Sequence, residues 1–469
     1  MFRLFQKVGN SLFFSSKPSV KTFPFNDLIL HTVKLSITLL LNLYVPLCVL
    51  SLIYISLTGG ITNNMKLVIS TYNIIEILFY IYCTILYHQS DNNKHSYNIS
   101  EEDRNKLIKV WIEEKNLDIN NLLRWFNPIN KDLISVQQCQ EFFAWLFYNN
   151  YLEKLSEKQS QSIQQLTEKI QFLSGISLKK VNSEKEKRQA MRLTLDKLNV
   201  LFKPLLVYLI IFLLQSRMSI FLLLNGFQYN HHNESKYSYY VYEPINPDNT
   251  KDTLFFINGI GPGLSYLKKI CELKQSYPNR KIIMLELKYI TITPTTYINT
   301  IEDTLNFMNV ICERHNIQKI SLIGHSYGTF ICSWLMKHCK ERISKLTLID
   351  PVCFSIWDSN LTRNFIYNNQ FNLKSILCDL IVSKDLFIAN TIARNFLWVE
   401  NLLLIEDLED LQVNVFLSEF DFLIDSRNVE SYLKKSPHFG NKLKVSILNG
   451  NHGIYLRNQK FFNTVMAGI

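Results

Sequence analysis

Gly324-His325-Ser326-Tyr327-Gly328 is the segment of this chain best suited to nucleophilic chemistry. A serine hydroxyl attacks well only when a neighbouring base takes its proton, and its oxygen must stand clear of the backbone. The apolar run Lys319–Ile323 reads as a strand and the residues from 327 as a helix, so Ser326 falls on a sharp strand-to-helix turn. Gly324 and Gly328 are the small residues such an elbow needs where strand and helix close on each other.

A nucleophilic serine also requires a base, a group to orient that base, and donors for the oxyanion, with the order Ser, acid, His along the chain. His452 stands just past the last strand, in Asn449-Gly450-Asn451-His452-Gly453, and Asp421 follows the strand ending at Leu417. A loop Asp is usually a turn residue and a lone His usually structural, but here both follow the strands that such chemistry uses. Asp425 and Asp350 are rivals for the acid role; Asp350 ends the strand after the nucleophile, with Pro351 next. The oxyanion donors expected are the N–H of Tyr327 and that of Ile260, in Asn258-Gly259-Ile260-Gly261-Pro262-Gly263, where Gly259 and Gly261 permit close backbone approach. A phosphate-cradling loop is the alternative, but neither G-x-G-x-x-G nor a P-loop lysine is present.

The elements that must hold these residues follow from periodicity. Short β-rich runs at 237–242, 253–258, 281–287, 319–323, 345–349, 412–417 and 443–448 alternate with helical stretches at 264–277, 295–315, 327–340, 427–435 and 454–465. The later runs are continuously apolar, as strands covered on both faces are. The pattern predicts an α/β domain over 235–469, a doubly wound, mostly parallel sheet, with 353–411 inserted as a helical cap.

The rest of the chain is of another kind. The 469 residues are 47% hydrophobic, 13% aromatic and have a mean hydropathy of +0.01, which excludes disorder for the bulk of the chain. The net charge of +10 is concentrated in residues 1–34, with five basic and one acidic residue, and in 177–203, with eight and three. Each patch precedes an apolar run, a placement suited to anionic lipid. Zinc-ligand spacing, RNA-recognition motifs and basic recognition helices are absent, so nucleic acid is not an expected partner. Leu35–Leu57 is long enough for a transmembrane helix, and Leu67–Tyr87 reads as a return span despite Glu76 near its middle. The polar stretch 58–64 turns between them. Residues 88–200 read as a helical region whose aromatic stripe, from Trp111 and Trp125 to Phe142, Phe143 and Trp145, is a packing face, with 153–172 a solvated helix or linker. The segment 201–228 reads as an apolar interfacial or membrane helix; Gln215, Ser216 and Arg217 leave its longest uncharged piece at 13 residues, short of a span. A two-helix hairpin puts the catalytic domain on the cytosolic side, in keeping with nine cysteines that form no C-x-x-C. Residues 1–26 carry Arg3, Lys7, Lys17 and Lys21 without an acid, as a mitochondrial presequence or a basic membrane flank would.

The elbow, the glycine-rich loop, the late Asp and the terminal His together resemble the α/β-hydrolase superfamily over residues 235–465. Leu348–Phe354, Arg363–Tyr367 and Phe396–Asn401, with an echo at Glu141–Trp145, are similar to membrane-anchored eukaryotic hydrolases that carry N-terminal transmembrane helices. The resemblance implies a triad of Ser326, Asp421 and His452 and no metal or organic cofactor; the apolar cap and the membrane tether point to a small-molecule or lipid ester as substrate, with membrane lipids as partners. Two departures stand out: Asn258 where many relatives have His, and Arg457 where an acyltransferase H-x-x-x-x-D pattern would place Asp. The expected function is a membrane-anchored serine hydrolase of esterase or lipase type. The alternatives are an acyltransferase or thioesterase using the same triad, or a non-catalytic scaffold of the same fold.

Overall fold

A computed structural model of the chain describes residues 24–57, 62–92, 100–113, 122–126, 134–174, 178, 190–232, 237–248, 250–261, 263–354, 356–367, 376, 378–396 and 398–469. Arg3, Lys7, Lys17 and Lys21, turn residues 58–61, residues 177 and 179–189 of the basic segment and Pro262 lie outside these residues.

Eight strands form one sheet in the order β1-β2-β4-β3-β5-β6-β7-β8. They are β1 (Phe227–His232), β2 (Tyr237–Tyr242), β3 (Thr253–Ile257), β4 (Ile282–Glu286), β5 (Ile320–His325), β6 (Ile343–Ile349), β7 (Gln412–Ser418) and β8 (Leu443–Leu448). From β4 through β8 the pairing is parallel, and β1 and β2 add an antiparallel edge. Seven of these strands follow the expected runs; β1 does not, because its sequence Phe-Gln-Tyr-Asn-His-His pairs on one side only and buries little beyond Phe227. A strand at the edge of a sheet needs no continuous apolar run. β3 and β5, in the middle, are buried at every residue.

Among the described residues three helices are long and apolar enough to cross a membrane: within α1 (Pro24–Leu57), α2 (Asn63–Asn92), and α3 (Leu205–Leu224). α1 and α2 form a hairpin, joined by Tyr44 to Tyr72 and by Asn73 Nδ2 donating to Ser51 Oγ at 3.0 Å. Leu35, Leu40, Leu50, Leu57, Leu67 and Val68 lie bare on this hairpin, as side chains facing lipid would. The polar interruption at Gln215–Arg217 does not break α3, which runs 20 residues and is long enough to span after all. Gln215 Nε2 donates to Thr291 O at 2.9 Å and Ser219 Oγ meets Tyr240 Oη at 2.6 Å, so these polar atoms face the sheet domain while Leu206, Leu209, Leu213 and Ile220 stay bare. Glu76 is fully buried and accepts the N–H groups of Leu205 and Leu206 at 3.0 and 3.3 Å, filling the first turn of α3, and the hydroxyl of Tyr72 at 3.0 Å. Its charge sits where a helix N-terminus compensates it.

The aromatic stripe is a packing face. Trp111, Trp125, Phe142 and Phe143 are wholly buried, and Trp125 meets Trp398 of the cap at 5.5 Å. Trp125 Nε1 donates to Trp357 O at 2.7 Å, and the guanidinium of Arg363 donates to Arg124 O and Phe126 O. Residues 122–126 and 134–174 therefore share a core with the cap, and 157–174 is a continuous helix. Arg394 ties the layers together: its guanidinium donates to Ser90 O, Leu193 O, Asp196 O and the Asp91 carboxylate, the last at 2.7 Å. Removing a buried, fully engaged guanidinium leaves those acceptors unpaired, at a cost of about 3–5 kcal/mol. Arg394→Ala should lower the Tm of the detergent-solubilised protein accordingly, and Arg394→Lys should recover only a small part, since an ammonium cannot span the same acceptors.

Candidate active site

β5 ends in a tight turn before the helix Gly328–His338, and Ser326 is held there at φ 52°. Left-handed backbone is costly for a serine and persists only where its surroundings enforce it. Here Ser326 N–H donates to Ile349 O of β6 at 3.0 Å, and Thr329 N–H to Ser326 O at 2.9 Å. The flanking glycines have no room for a side chain: a Cβ at 324 would lie 2.4 Å from Cys332 Sγ, and one at 328 would lie 2.4 Å from Ile257 O.

Three residues from distant parts of the chain converge on this turn. His452 Nε2 lies 2.8 Å from Ser326 Oγ, and His452 Nδ1 lies 2.6 Å from Asp421 Oδ2. The second oxygen of Asp421 accepts the N–H of Leu423 at 2.8 Å, which fixes the carboxylate. The rival acids are engaged elsewhere. Asp425 caps the helix Ser426–Leu433 through the N–H groups of Arg427 and Asn428. Asp350 spends one oxygen on Ser418 N–H and the other on Gly453 N–H, at 2.7 and 2.6 Å. Ligand-type atoms of Asp350, Asp421 and His452 lie within 4.8 Å of one another, yet their polar atoms are already committed to these hydrogen bonds rather than arranged as an open cation cage.

The electrostatics follow from burial. Desolvation opposes charge on the His452 imidazole, but the Asp421 carboxylate outweighs it and pushes the pKa up to about 9, with Asp350 adding in the same direction. Burial raises Asp421 against the pull of His452, and desolvation keeps the neighbouring His325 imidazole below its ordinary value.

The glycine-rich loop after β3 lies beside Ser326, with the Cβ position of Gly259 only 2.8 Å from Ser326 Cβ. Gly259 N–H donates to Tyr266 Oη at 3.0 Å and Gly261 N–H to Ile290 O at 2.9 Å. Ile260 stands between these two anchored residues of the loop. Asn258 is buried, its amide donating to Gly259 O at 3.0 Å. Ile260 and Tyr327 both line a cavity that opens over Ser326 and His452.

That cavity is apolar. Phe330, Phe365, Phe396, Trp398 and Phe422 wall it, Leu193 joins from the N-terminal region, and Thr362 supplies one of its few polar groups besides Ser326 and His452. None of these lining residues was expected from the sequence except through the aromatic character of the cap; they come from separate segments that only folding brings together.

Residues 235–377 match the family model described as the alpha/beta hydrolase fold. No curated protein matches the sequence. Similar solved structures include a carboxylesterase of the ammonia-oxidizing thaumarchaeon Nitrososphaera gargenis, at 16% identity over 51% of this chain and 97% of the other, with a TM-score of 0.38. Carboxylesterase CesB from Bacillus subtilis is 13% identical over 55% of this chain and 95% of its own, with a TM-score of 0.37. A membrane phospholipase A described as a bacterial virulence factor is 17% identical over 55% and 93%, with a TM-score of 0.36. At this distance no activity carries across. The match over residues 235–377, the order of the strands and the elbow after β5 give the C-terminal half of the chain an α/β-hydrolase fold.

Proposed function

We propose that this protein is a membrane-anchored serine hydrolase that cleaves the ester bond of an apolar acyl substrate. The observation that carries the reading is the unbroken chain from Ser326 Oγ through His452 to Asp421, at 2.8 and 2.6 Å, at the mouth of an apolar cavity. Ser326 Oγ attacks the carbonyl carbon while His452 Nε2 takes its proton, and Asp421 holds the imidazole with Nδ1 protonated. The N–H groups of Ile260 and Tyr327 stabilise the oxyanion. His452 then gives its proton to the departing alcohol, leaving the acyl group on Ser326. Water attacks the acyl-enzyme with His452 again as base, and collapse frees the acid and restores the serine. A thioester in place of the ester donor, with a thiol leaving, or an alcohol in place of that water, would make the same triad serve as a thioesterase or an acyltransferase.

An acyl lipid suits the site best. Cys378 and Val382 line the cavity, while Leu380, between them, forms with Leu201 and Ile376 a cluster on which Leu30, Ile37 and Leu41 of α1 pack. Lys34 of α1 reaches the Asp379 carboxylate at 2.7 Å. A single helical turn thus stands between the acyl cavity and a helix apolar enough to lie in a bilayer. The phrases Leu348–Phe354, Arg363–Tyr367 and Phe396–Asn401 support the same reading by their similarity to membrane-anchored eukaryotic hydrolases. All nine cysteines are free, as in a catalytic domain facing the cytosol, the side it takes if α1 and α2 cross the membrane and α3 lies along it; a spanning α3 would place it on the opposite side.

A fluorophosphonate probe should label the wild-type protein and fail to label Ser326→Ala. A folded wild-type protein that takes no label would refute the hydrolase reading, and a Ser326→Ala variant active in every assay would favour the scaffold alternative.

The pH profile gives a second test. His452 acts as base only when neutral, and its pKa is pushed up to about 9, so kcat/KM should rise with pH through the alkaline range rather than level off near neutrality. Asp421→Asn removes the chief charge that raises the imidazole. The rising limb should then move toward the ordinary histidine range, with kcat reduced by about 10⁴-fold.

A further inference from the structure

Behind the proposed triad lies a second chain of buried polar groups that the reaction as written does not use. Tyr266, His325 and Asp350 are 4%, 4% and 1% exposed. Tyr266 Oη accepts the N–H of Gly259, the residue before the Ile260 donor, at 3.0 Å, and lies 2.6 Å from His325 Nδ1. With one acceptor position of the phenol occupied by Gly259, the arrangement that satisfies all partners has Tyr266 O–H donating to His325 Nδ1. The imidazole proton then sits on Nε2, which points toward Asp350 Oδ2 at 3.8 Å and has no other partner. The opposite tautomer would set an imidazole lone pair against a buried carboxylate.

Asp350 completes the chain at the other end. Its backbone is left-handed at φ 44°, a strained conformation for an aspartate, and it places both carboxylate oxygens between the two loops that bear the triad. One oxygen takes Ser418 N–H, at the base of the Asp421 loop, and the other takes Gly453 N–H, beside His452. His325 is also packed directly against the His452 ring, with centroids 5.3 Å apart. One relay therefore touches the oxyanion loop, the nucleophile turn, the acid loop and the base loop.

We propose that Tyr266, His325 and Asp350 form a positioning relay that sets the oxyanion loop and the His452 loop in register with Ser326. No bond is made or broken within it. The relay acts by holding the Ile260 N–H and the His452 imidazole at fixed distances from the nucleophile, and in this role it rests on the triad reading above. His325, the variable second residue of the nucleophile elbow, is its centre because it is the one side chain that reaches both the Gly259 support and Asp350.

The groups facing His452 make the relay readable from pH. Asp421 and Asp350 are the carboxylates that bear on it; His325 beside it is kept neutral by burial, and the phenols of Tyr266 and Tyr455 are pushed well above neutrality by the same cause. Removing the Asp350 charge should therefore move the rising limb of kcat/KM downward, though by less than removing Asp421 does. Removing the Tyr266 hydroxyl leaves those charges in place and should not move it.

The test compares wild type, Tyr266→Phe and Asp350→Asn, using the full-length protein in detergent, a soluble p-nitrophenyl ester, and active sites counted by fluorophosphonate titration. For Tyr266→Phe the expected result is a 10- to 100-fold loss of kcat per titrated site, KM within about twofold of wild type, and an unshifted pH limb. For Asp350→Asn it is a loss of kcat per site together with the downward shift of the limb. Unchanged kcat per site in Tyr266→Phe would overturn the relay even if Asp350→Asn failed to fold, because the phenylalanine keeps the ring packing and loses only the hydroxyl. An equal loss in folded fraction and activity, with kcat per site unaltered, would mark these residues as ordinary core. Failure of the underlying triad reading would show separately, as wild-type turnover that survives Ser326→Ala.

Discussion

The close contact between the turn after β5 and the end of β3 is the constraint on which the site depends. The backbone of Gly328 presses so near Ile257 O that a single methyl group would lie 2.4 Å from it, and Gly324 is as tightly placed against Cys332 Sγ. That contact forces Ser326 into a left-handed conformation costing about 1–3 kcal/mol, which a well-packed parallel sheet can absorb. It also brings the glycine-rich loop within reach of the serine. The proposed oxyanion donors and nucleophile are neighbours because β3 and β5 pair directly in the sheet, although some sixty residues separate them in sequence.

Charge burial is the second constraint. The side chains of Asp350, Asp421 and His452 are all enclosed, and unpaired charges there would be untenable. Each carboxylate is instead met by backbone N–H groups or by an imidazole, so the polar network fixes three loops at the carboxyl ends of β6, β7 and β8. The polar groups that would be hardest to bury are those that define the geometry, which is how buried networks confer uniqueness on a site.

The N-terminal half serves this domain in two ways. Its aromatic stripe fills the space beneath the cap, Arg363 ties the cap to Arg124 O and Phe126 O, and Arg394 ties it to the carbonyls of Ser90, Leu193 and Asp196. Its apolar helices dock by isolated polar contacts set among apolar ones. Glu76 caps α3, Lys34 meets Asp379, and Lys203 meets Asp385 at 3.2 Å. Burial opposes the charge on the Lys203 ammonium, and Asp385 supports it. Such contacts fix the register of helices whose apolar surfaces alone would pack in many ways.

Much of this was legible before folding. The alternation of apolar runs with helical stretches gave seven of eight strands, since a parallel sheet covered on both faces demands continuous apolar sequence. The glycines around Ser326 and the placing of Asp421 and His452 after the sixth and seventh of those runs marked the candidate site, because an elbow and its partners must lie at strand ends. The sequence could not separate Asp421 from Asp350 and Asp425. All three are loop acids near strand ends, and only the tertiary structure decides which carboxylate faces the imidazole, which bridges two loops and which caps a helix. It could not reveal β1, whose pairing leaves no apolar pattern, nor the partner of Glu76, which lies more than a hundred residues away. The cavity was likewise invisible: its wall is assembled from short pieces of the cap, the elbow and the N-terminal region, and contacts between residues distant in the chain leave no periodic trace. Local sequence determined which elements form and where a nucleophile can stand; the packing of those elements decided which groups surround it.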